Sequence, residues 1–389
     1  MLKVNTTLQS INLAGNDIVF RGDMAGVKAL CAMLKVNTTL QSINLENTAL
    51  NSEAAKHISQ GLKENNTLTS LNLADNRICE NGEMAGLNGL CEMLKVNTTL
   101  QSINLSENNL TNFGEDMSGI IQIAEALKVN KTLQSIDLAN NYLTGACGDD
   151  MSGVIALAEA LKVNKTLTSI NLNNNALCGL YSEYSDGSGR LLGTYNAEGI
   201  TAVTEMLQVN STLTSISLAE NAICYRGEMA GLNALCEMLK VNMTLQSINV
   251  SNNSFRPEGA TIFAEMLKVN TTLTSVNLLG NKLGKEGADS ILEVAKDKPQ
   301  LITLCGLKPN QTSADFSRQS LTVGDAILLA FDLKKHSILV ELNLADNFIC
   351  YDGEMAGLSA LCQMLEVNTT LQSINLLKNH LGREGVNSV

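Results

Sequence analysis

The chain has 389 residues, with 39 acidic against 27 basic side chains and hence a formal charge of 27 − 39 = −12. That balance argues against nucleic acid or an anionic membrane as partner and is compatible with a basic protein partner. No apolar run is long enough to span a bilayer, and the chain opens on a repeat rather than on a signal peptide.

The first 14 residues, Met1 to Ala14, return at Met33 with only the last changed, to Glu46. Near-copies continue to the C-terminus, their first leucines being Leu8, Leu40, Leu68, Leu100, Leu133, Leu167, Leu213, Leu245, Leu273, Leu301, Leu339 and Leu371. Each copy opens on Leu-x-x-Ile/Leu-x-Leu-x-x-Asn, as in Leu68, Leu71, Leu73 and Asn76. The residues after the first Leu alternate apolar with polar, the period of a short half-buried strand. In the second half the period changes: Leu87, Leu90, Cys91 and Leu94 fall at i, i+3, i+4 and i+7, one inward stripe of a helix.

Nearly every helix runs into Lys-Val-Asn-x-Thr-Leu, placing Asn37, Asn97, Asn130, Asn164, Asn210, Asn242, Asn270 and Asn368 just past its end. Asparagine tolerates the left-handed conformation that closes a helix, and His336 in the equivalent place reads as another helix-ending residue. Parallel strands pack about 4.8 Å apart and helices about 8 to 10 Å apart, so a stack with strands on one side and helices on the other must curve. The expected fold is an α/β solenoid of about 12 repeats, a horseshoe with a concave parallel sheet and convex helices.

A strand, an Asn turn and a full helix in copies of 28 residues or more resemble the ribonuclease-inhibitor-like class of leucine-rich repeats. That class includes the C-terminal domains of NOD-like receptors and the Ran GTPase-activating proteins, so the resemblance specifies a fold more strongly than a function. It covers residues 1–389 as one repeat domain.

Along that array two copies depart from the rest. The sixth carries an insertion at 179–197 that holds Tyr181, Tyr184 and Tyr195 among Gly and Ser, read as a surface loop suited to contact. The tenth, 301–338, is degenerate, with Pro309 inside it and Gln319 where the turn asparagine should stand. Met1 aligns with a residue inside a helix, and the last copy stops where its helix should begin. Both ends therefore read as uncapped, as in a fragment of a longer protein.

Ten cysteines without a Cys-x-x-Cys pair speak against zinc or a redox motif. Cys31, Cys91, Cys236 and Cys362 share one helix register, and Cys79, Cys178, Cys224 and Cys350 a second after the Asn turn. Small buried thiols of this kind imply a cytoplasmic setting. The Asn-x-Thr triplets lie on the helix-to-strand turn and are read as structural rather than as glycosylation sites.

In leucine-rich repeats of this class the exposed strand residues usually carry specificity. Here those residues are an almost uniform series of Ser and Asn, as in Ser70, Asn72, Ser102 and Asn104, with Thr303 and Cys305 in the tenth copy. Such a face offers no Trp, Tyr or Arg anchor, unlike the varied aromatic and charged face of the ribonuclease inhibitors. Variation concentrates instead between strand and helix, where Phe20, Tyr225 and Tyr351 precede acids. Asp23, Glu83, Asp116, Asp150, Glu228 and Glu354 line up along one rim, with Asp75, Glu107, Glu220 and Asp346 on the same side. An acid here also starts a helix, which is the simpler reading; the functional one is an acidic rim with aromatic anchors. No EF-hand spacing supports Ca²⁺ at Asp149 and Asp150, and no cofactor or metal is implied.

His57, His336 and His380 lie in unrelated copies, and no nucleophile triad or phosphate loop is present. The sequence therefore points to a non-catalytic interaction scaffold or the recognition part of a larger cytoplasmic protein. The alternatives are a small-GTPase regulator, by resemblance, and a hydrolase inhibitor, which the polar strand face disfavours.

Overall fold

Three-residue strands and helices of ten to fourteen residues alternate through a computed structural model that describes residues 4–145, 148–182, 191–382 and 385. The chain divides into two compact units, Met1–Ser217 and Leu218–Val389.

In the first unit the strands β1 (Ser10–Asn12), β2 (Ser42–Asn44), β3 (Ser70–Asn72), β4 (Ser102–Asn104), β5 (Ser135–Asp137) and β6 (Ser169–Asn171) each pair in parallel with the next. Equivalent residues face one another, so Ser70 pairs with Ser102, Leu71 with Ile103 and Asn72 with Asn104. The insertion, expected as a surface loop, pairs at its described ends as antiparallel arms β7 (Leu180–Ser182) and β8 (Leu191–Gly193). Beyond it β9 (Ser215–Ser217) returns to pair with β6. The helices are α1 (Ala25–Leu34), α2 (Ser52–Glu64), α3 (Ala85–Val96), α4 (Ser118–Val129), α5 (Ser152–Val163) and α6 (Glu198–Val209).

The second unit holds α7 (Ala230–Val241), α8 (Arg256–Val269), α9 (Gly284–Ala295), α10 (Val323–Leu333) and α11 (Ala356–Leu365). Its strands are β10 (Ser247–Asn249) and β11 (Ser275–Asn277), which pair in parallel, and β12 (Ser313–Asp315), β13 (Glu341–Asn343) and β14 (Ser373–Asn375), which form a parallel sheet of their own. Between strand and helix layers lies the expected apolar core: Leu68, Leu71 and Leu73 are all buried, as are Leu87, Leu90, Cys91 and Leu94 on the helix stripe.

The helix-ending asparagines stand where the sequence puts them but act differently. Asn97 has φ −71° and ψ 133°, an extended conformation rather than the left-handed one expected, and Asn130, Asn164, Asn210, Asn242 and Asn270 follow it. The carboxamide does the work. Asn97 Oδ1 accepts from the N–H groups of Thr99 and Leu100, while Nδ2 donates 2.8 Å to the Leu62 carbonyl at the end of the preceding helix. An orphan carbonyl of one helix is thereby satisfied by the next coil. His336 imitates this with a ring: Nδ1 accepts from Leu339 N–H at 3.1 Å and Nε2 lies 3.0 Å from the Lys308 carbonyl.

The tenth copy is split. Residues 302–306 run beside β11, with Ile302 N–H donating to Thr274, Val276 N–H to Thr303 and Leu278 N–H to Leu304. Gly306, at φ +72°, then turns the chain, and β12 starts the next sheet. Thr303 and Cys305, expected on the exposed face, are buried at 3% and 2% exposure. The carboxylate of Asp332, itself buried, accepts from Thr303 Oγ1 at 2.6 Å and from Leu304 and Cys305 N–H. It satisfies backbone donors that the interrupted sheet leaves behind, and burial lifts its pKa to about 6 despite those bonds.

Candidate functional site

Most strands of the parallel sheets end on an Asn or Asp, and in β3 to β6 its side chain is already engaged. Asn72, Asn104, Asp137 and Asn171 accept through Oδ1 from the backbone N–H two residues on, at 2.9, 2.9, 3.0 and 3.0 Å. The polar series on the sheet face is thus partly a turn device, the side chain mimicking a backbone turn. Four residues after the strand's last residue the deep turn asparagine follows: Asn76 Oδ1 accepts from Thr48 and Leu50 N–H, and Nδ2 donates to Leu45 and Leu73 carbonyls.

The residue before that turn position is left-handed in every copy, including those where Thr48 or Gln319 replaces the asparagine. Asn47, Asp75, Glu107, Asn140 and Asn174 have φ of 49°, 51°, 55°, 56° and 48°. This conformation is costly for residues other than glycine, and Asn and Asp bear it best. It is held by hydrogen bonds between coils, from Asp75 N–H to Ser106, from Glu107 N–H to Ala139 and from Asn140 N–H to Asn173, each 3.0 Å. The side chains of these residues consequently stand in a row at the carboxyl ends of the parallel strands, the edge at which α/β sheets commonly bind ligands.

In the first unit that row borders a cleft of about 210 Å³. Asp75 and Glu107 supply carboxylates, and Phe113, Tyr142 and Tyr181 supply rings. The Phe113 and Tyr142 rings meet edge to face, with centroids 6.0 Å apart and planes at 60°. Asn174 Nδ2 donates to Asn140 Oδ1 at 2.6 Å, and Asn140 Nδ2 reaches Glu107 Oε1 at 3.5 Å. Partial burial, and then the neighbouring Asp75, raise the Glu107 carboxyl above its ordinary pKa.

The second unit gathers rings at the same edge. Phe348 stacks on His380 with centroids 5.7 Å apart, and Tyr351 stands edge-on to both, at 5.9 and 5.7 Å. Thr322, Asp352 and Glu354 border this open cleft of about 470 Å³. The left-handed row here carries both signs: Asp346 lies between Lys378 Nζ at 3.0 Å and Arg318 Nε at 3.4 Å. The hydrogen bond from Lys378, and after it that from Arg318, lower its carboxyl below the usual range.

The residues nominated from sequence are dispersed among different roles. Asp23, Asp116 and Asp150 are exposed and accept from the first helical N–H of Ala25, Ser118 and Ser152, at 2.8, 2.8 and 2.9 Å. Glu83, Glu228 and Glu354, one methylene longer, are exposed and make no equivalent bond among the described residues. Phe20 begins the 3₁₀ turn Phe20–Gly22, Tyr195 is half-buried, and Tyr184 lies outside the described residues. Tyr225 is half-buried beneath the Arg226 guanidinium, 5.2 Å above its ring. Of the residues named from sequence, Tyr181, Asp75 and Glu107 join the first cleft, and Tyr351 and Glu354 the second.

The profile of the family described as Leucine Rich repeat matches residues 4–18, 64–79, 96–114, 241–264 and 269–292. This chain is a leucine-rich repeat protein. No curated protein sequence matches it. Among solved structures it is similar to the leucine-rich repeat-containing protein LegL7 from Legionella pneumophila, at 16% identity over 94% of this chain and 89% of that one, with a TM-score of 0.48. It is also similar to the actin-binding site 2 of leiomodin-1, at 19% identity, 56% and 92% coverage and a TM-score of 0.30. A third similarity is to the tropomodulin C-terminal domain of Caenorhabditis elegans, at 18% identity, 41% and 86% coverage and a TM-score of 0.32.

Within the leucine-rich repeat, three of the rings overlooked from sequence share one position. Tyr142, Phe348 and His380 each directly follow the turn asparagine, in Asn141-Tyr142-Leu143, Asn347-Phe348-Ile349 and Asn379-His380-Leu381. Other copies place Ala176, Ala222 or Ser254 there, so an aromatic at that step was the available signal.

Proposed function

We propose that this leucine-rich repeat protein is a non-catalytic interaction scaffold of the ribonuclease-inhibitor-like class, working in the cytoplasm and binding protein through the rim at the carboxyl ends of its strands. One observation carries the reading: exposed rings and carboxylates gather in clefts at that rim, while the asparagines of the sheet face are committed to their own turns. Aromatic side chains in partly desolvated clefts are the usual anchors of protein interfaces. The net charge of −12 suits a basic partner. The nine described cysteines form no disulfide and eight of them are buried, which suits a reducing compartment.

Cross-linking capture from a cytoplasmic extract tests this. Three baits are compared: the intact chain, Phe113→Ala combined with Phe348→Ala, and Ser102→Lys combined with Ser135→Lys on the sheet face. Loss of the captured protein with the ring variant and its retention with the sheet-face variant is the expected result. The reverse pattern would place binding on the sheet and overturn the proposal.

A further inference from the structure

The cleft of the first unit is built from three kinds of group that together suit one chemistry. Phe113 is 59% exposed, so its ring face is left to solvent beside Tyr142 rather than packed into the core. Ring faces carry the negative part of the aromatic quadrupole and attract cations. The carboxylates of Asp75 and Glu107 stand on the same cleft, and no basic residue lines it among the described residues. Glu107 is repelled by Asp75, Glu46 and Asp137, an acidic field at the cleft.

Comparison within the chain sharpens this. At the same left-handed position the last three copies carry Arg318, Asp346 and Lys378, and there the carboxylate is neutralised by its own neighbours. The four copies around the first cleft have Asp75, Glu107, Asn140 and Asn174 at that position, two acids and two amides. The chain also shows the contact that a cation makes with a rim ring, the Arg226 guanidinium over Tyr225.

We infer that the cleft formed by Asp75, Glu107, Phe113 and Tyr142 receives an arginine side chain from a basic segment of the partner protein. This rests on the scaffold reading above. A planar guanidinium fits both features at once, lying against a ring while its N–H fork donates to carboxylate. The acceptor is preorganised: the Asn174 to Asn140 to Glu107 relay holds Oε1, while Oε2 has no hydrogen-bond partner among the described residues. At about 210 Å³ the cleft is smaller than the roughly 300 to 1,000 Å³ of typical small-molecule sites, a size suited to one side chain.

The test uses the whole chain in an NMR titration with the peptide Gly-Ser-Arg-Ser-Gly. Two counterparts are run beside it, one with citrulline, which keeps the shape and removes the charge, and one with lysine. The expected result is movement of the Phe113 and Tyr142 ring signals and the Asn140 amide. Affinity should be at least tenfold weaker for citrulline and several-fold weaker for lysine. Asp75→Asn combined with Glu107→Gln should abolish binding, and Phe113→Ala should weaken it about tenfold with the fold intact by circular dichroism.

Equal shifts with citrulline, or shifts confined to other residues, would overturn the inference. A peptide-display selection on the same chain separates this from the broader reading. Selected peptides that bind away from the cleft overturn the arginine site and leave the scaffold standing. No selected peptide together with no arginine-dependent shift removes both.

Discussion

Asn97 Nδ2 donates to the carbonyl of Leu62, 35 residues earlier, at 2.8 Å, and the same amide closes its own helix-to-strand turn through Oδ1. One buried side chain thus joins two coils and shapes the chain between helix and strand. Replacing it with Ala leaves at least one buried donor or acceptor unpaired at about 1 to 3 kcal/mol each. We expect Asn97→Ala to lower stability by about 3 kcal/mol in urea unfolding, and Asn97→Asp, which keeps the acceptor, by less. An Ala variant within about 0.5 kcal/mol of the parent would contradict the role assigned to this amide.

Gly86 lets helix α3 settle on α2. Its N–H donates to Ser52 Oγ at 2.8 Å, and an added Cβ would fall inside contact distance of the Ser52 carbonyl oxygen and 2.9 Å from Ala55 Cβ. Gly86→Ala should therefore cost about 1 to 3 kcal/mol through overpacking, although alanine is the better helix former. Thermal melts of the two proteins decide the sign; a more stable variant would mean that helix propensity outweighs the clash.

Asp332 carries a pH dependence. Its folded pKa of about 6 lies above the ordinary 3.8, so the folded state holds this proton more tightly. The group therefore favours folding below about pH 4, and that contribution disappears as pH rises through 6. Asp325, raised chiefly by burial, acts in the same sense. With about 1.36 kcal/mol per pKa unit, the stability of the parent relative to non-titrating Asp332→Asn should fall by roughly 2 kcal/mol from pH 4 to pH 7. Denaturant midpoints of both proteins at the two pH values provide the comparison; a difference independent of pH would remove the assignment.

Thiol chemistry reports the core. Burial pushes Cys79, Cys91 and Cys224 up to about 12, and Cys362 is the only one of the nine described cysteines that is not fully buried. Thiolate is the reactive form, so iodoacetamide at pH 8 should modify Cys362 before these three, which react on unfolding. Peptide mass mapping after brief exposure checks the order, and early labelling of Cys91 would count against the packing.

Asp116 and Glu107 separate helix starting from binding. Asp116 accepts the first helical N–H of α4, so Asp116→Ala should cost about 1 kcal/mol of stability and leave arginine-peptide binding unchanged. Glu107→Gln should do the opposite, weakening the peptide with little effect on the melt. Calorimetric titration and thermal melting of each variant distinguish them, and equal effects on both readouts would dissolve the distinction.

Strand and helix positions were legible in the sequence because they depend on local period: alternation through Leu68 to Leu73, and a stripe from Leu87 to Leu94. The placing of Asn97 was equally plain, but its extended backbone was not, because its amide is set by Leu62 in another coil. The tenth copy misled for the same reason. Residues Leu301 to Cys305 look like an ordinary strand, and only the buried Asp332 shows that Thr303 and Cys305 turn inward.

The repeat, its twelve copies and the acidic balance belong to the sequence alone, since each is a matter of spacing or composition. The clefts belong to the tertiary structure. Phe113 and Tyr142 are 29 residues apart, and nothing local to either brings the rings to 6.0 Å. Parallel pairing in register does so, because it sets equivalent turns of successive coils side by side and turns occasional aromatics into neighbours.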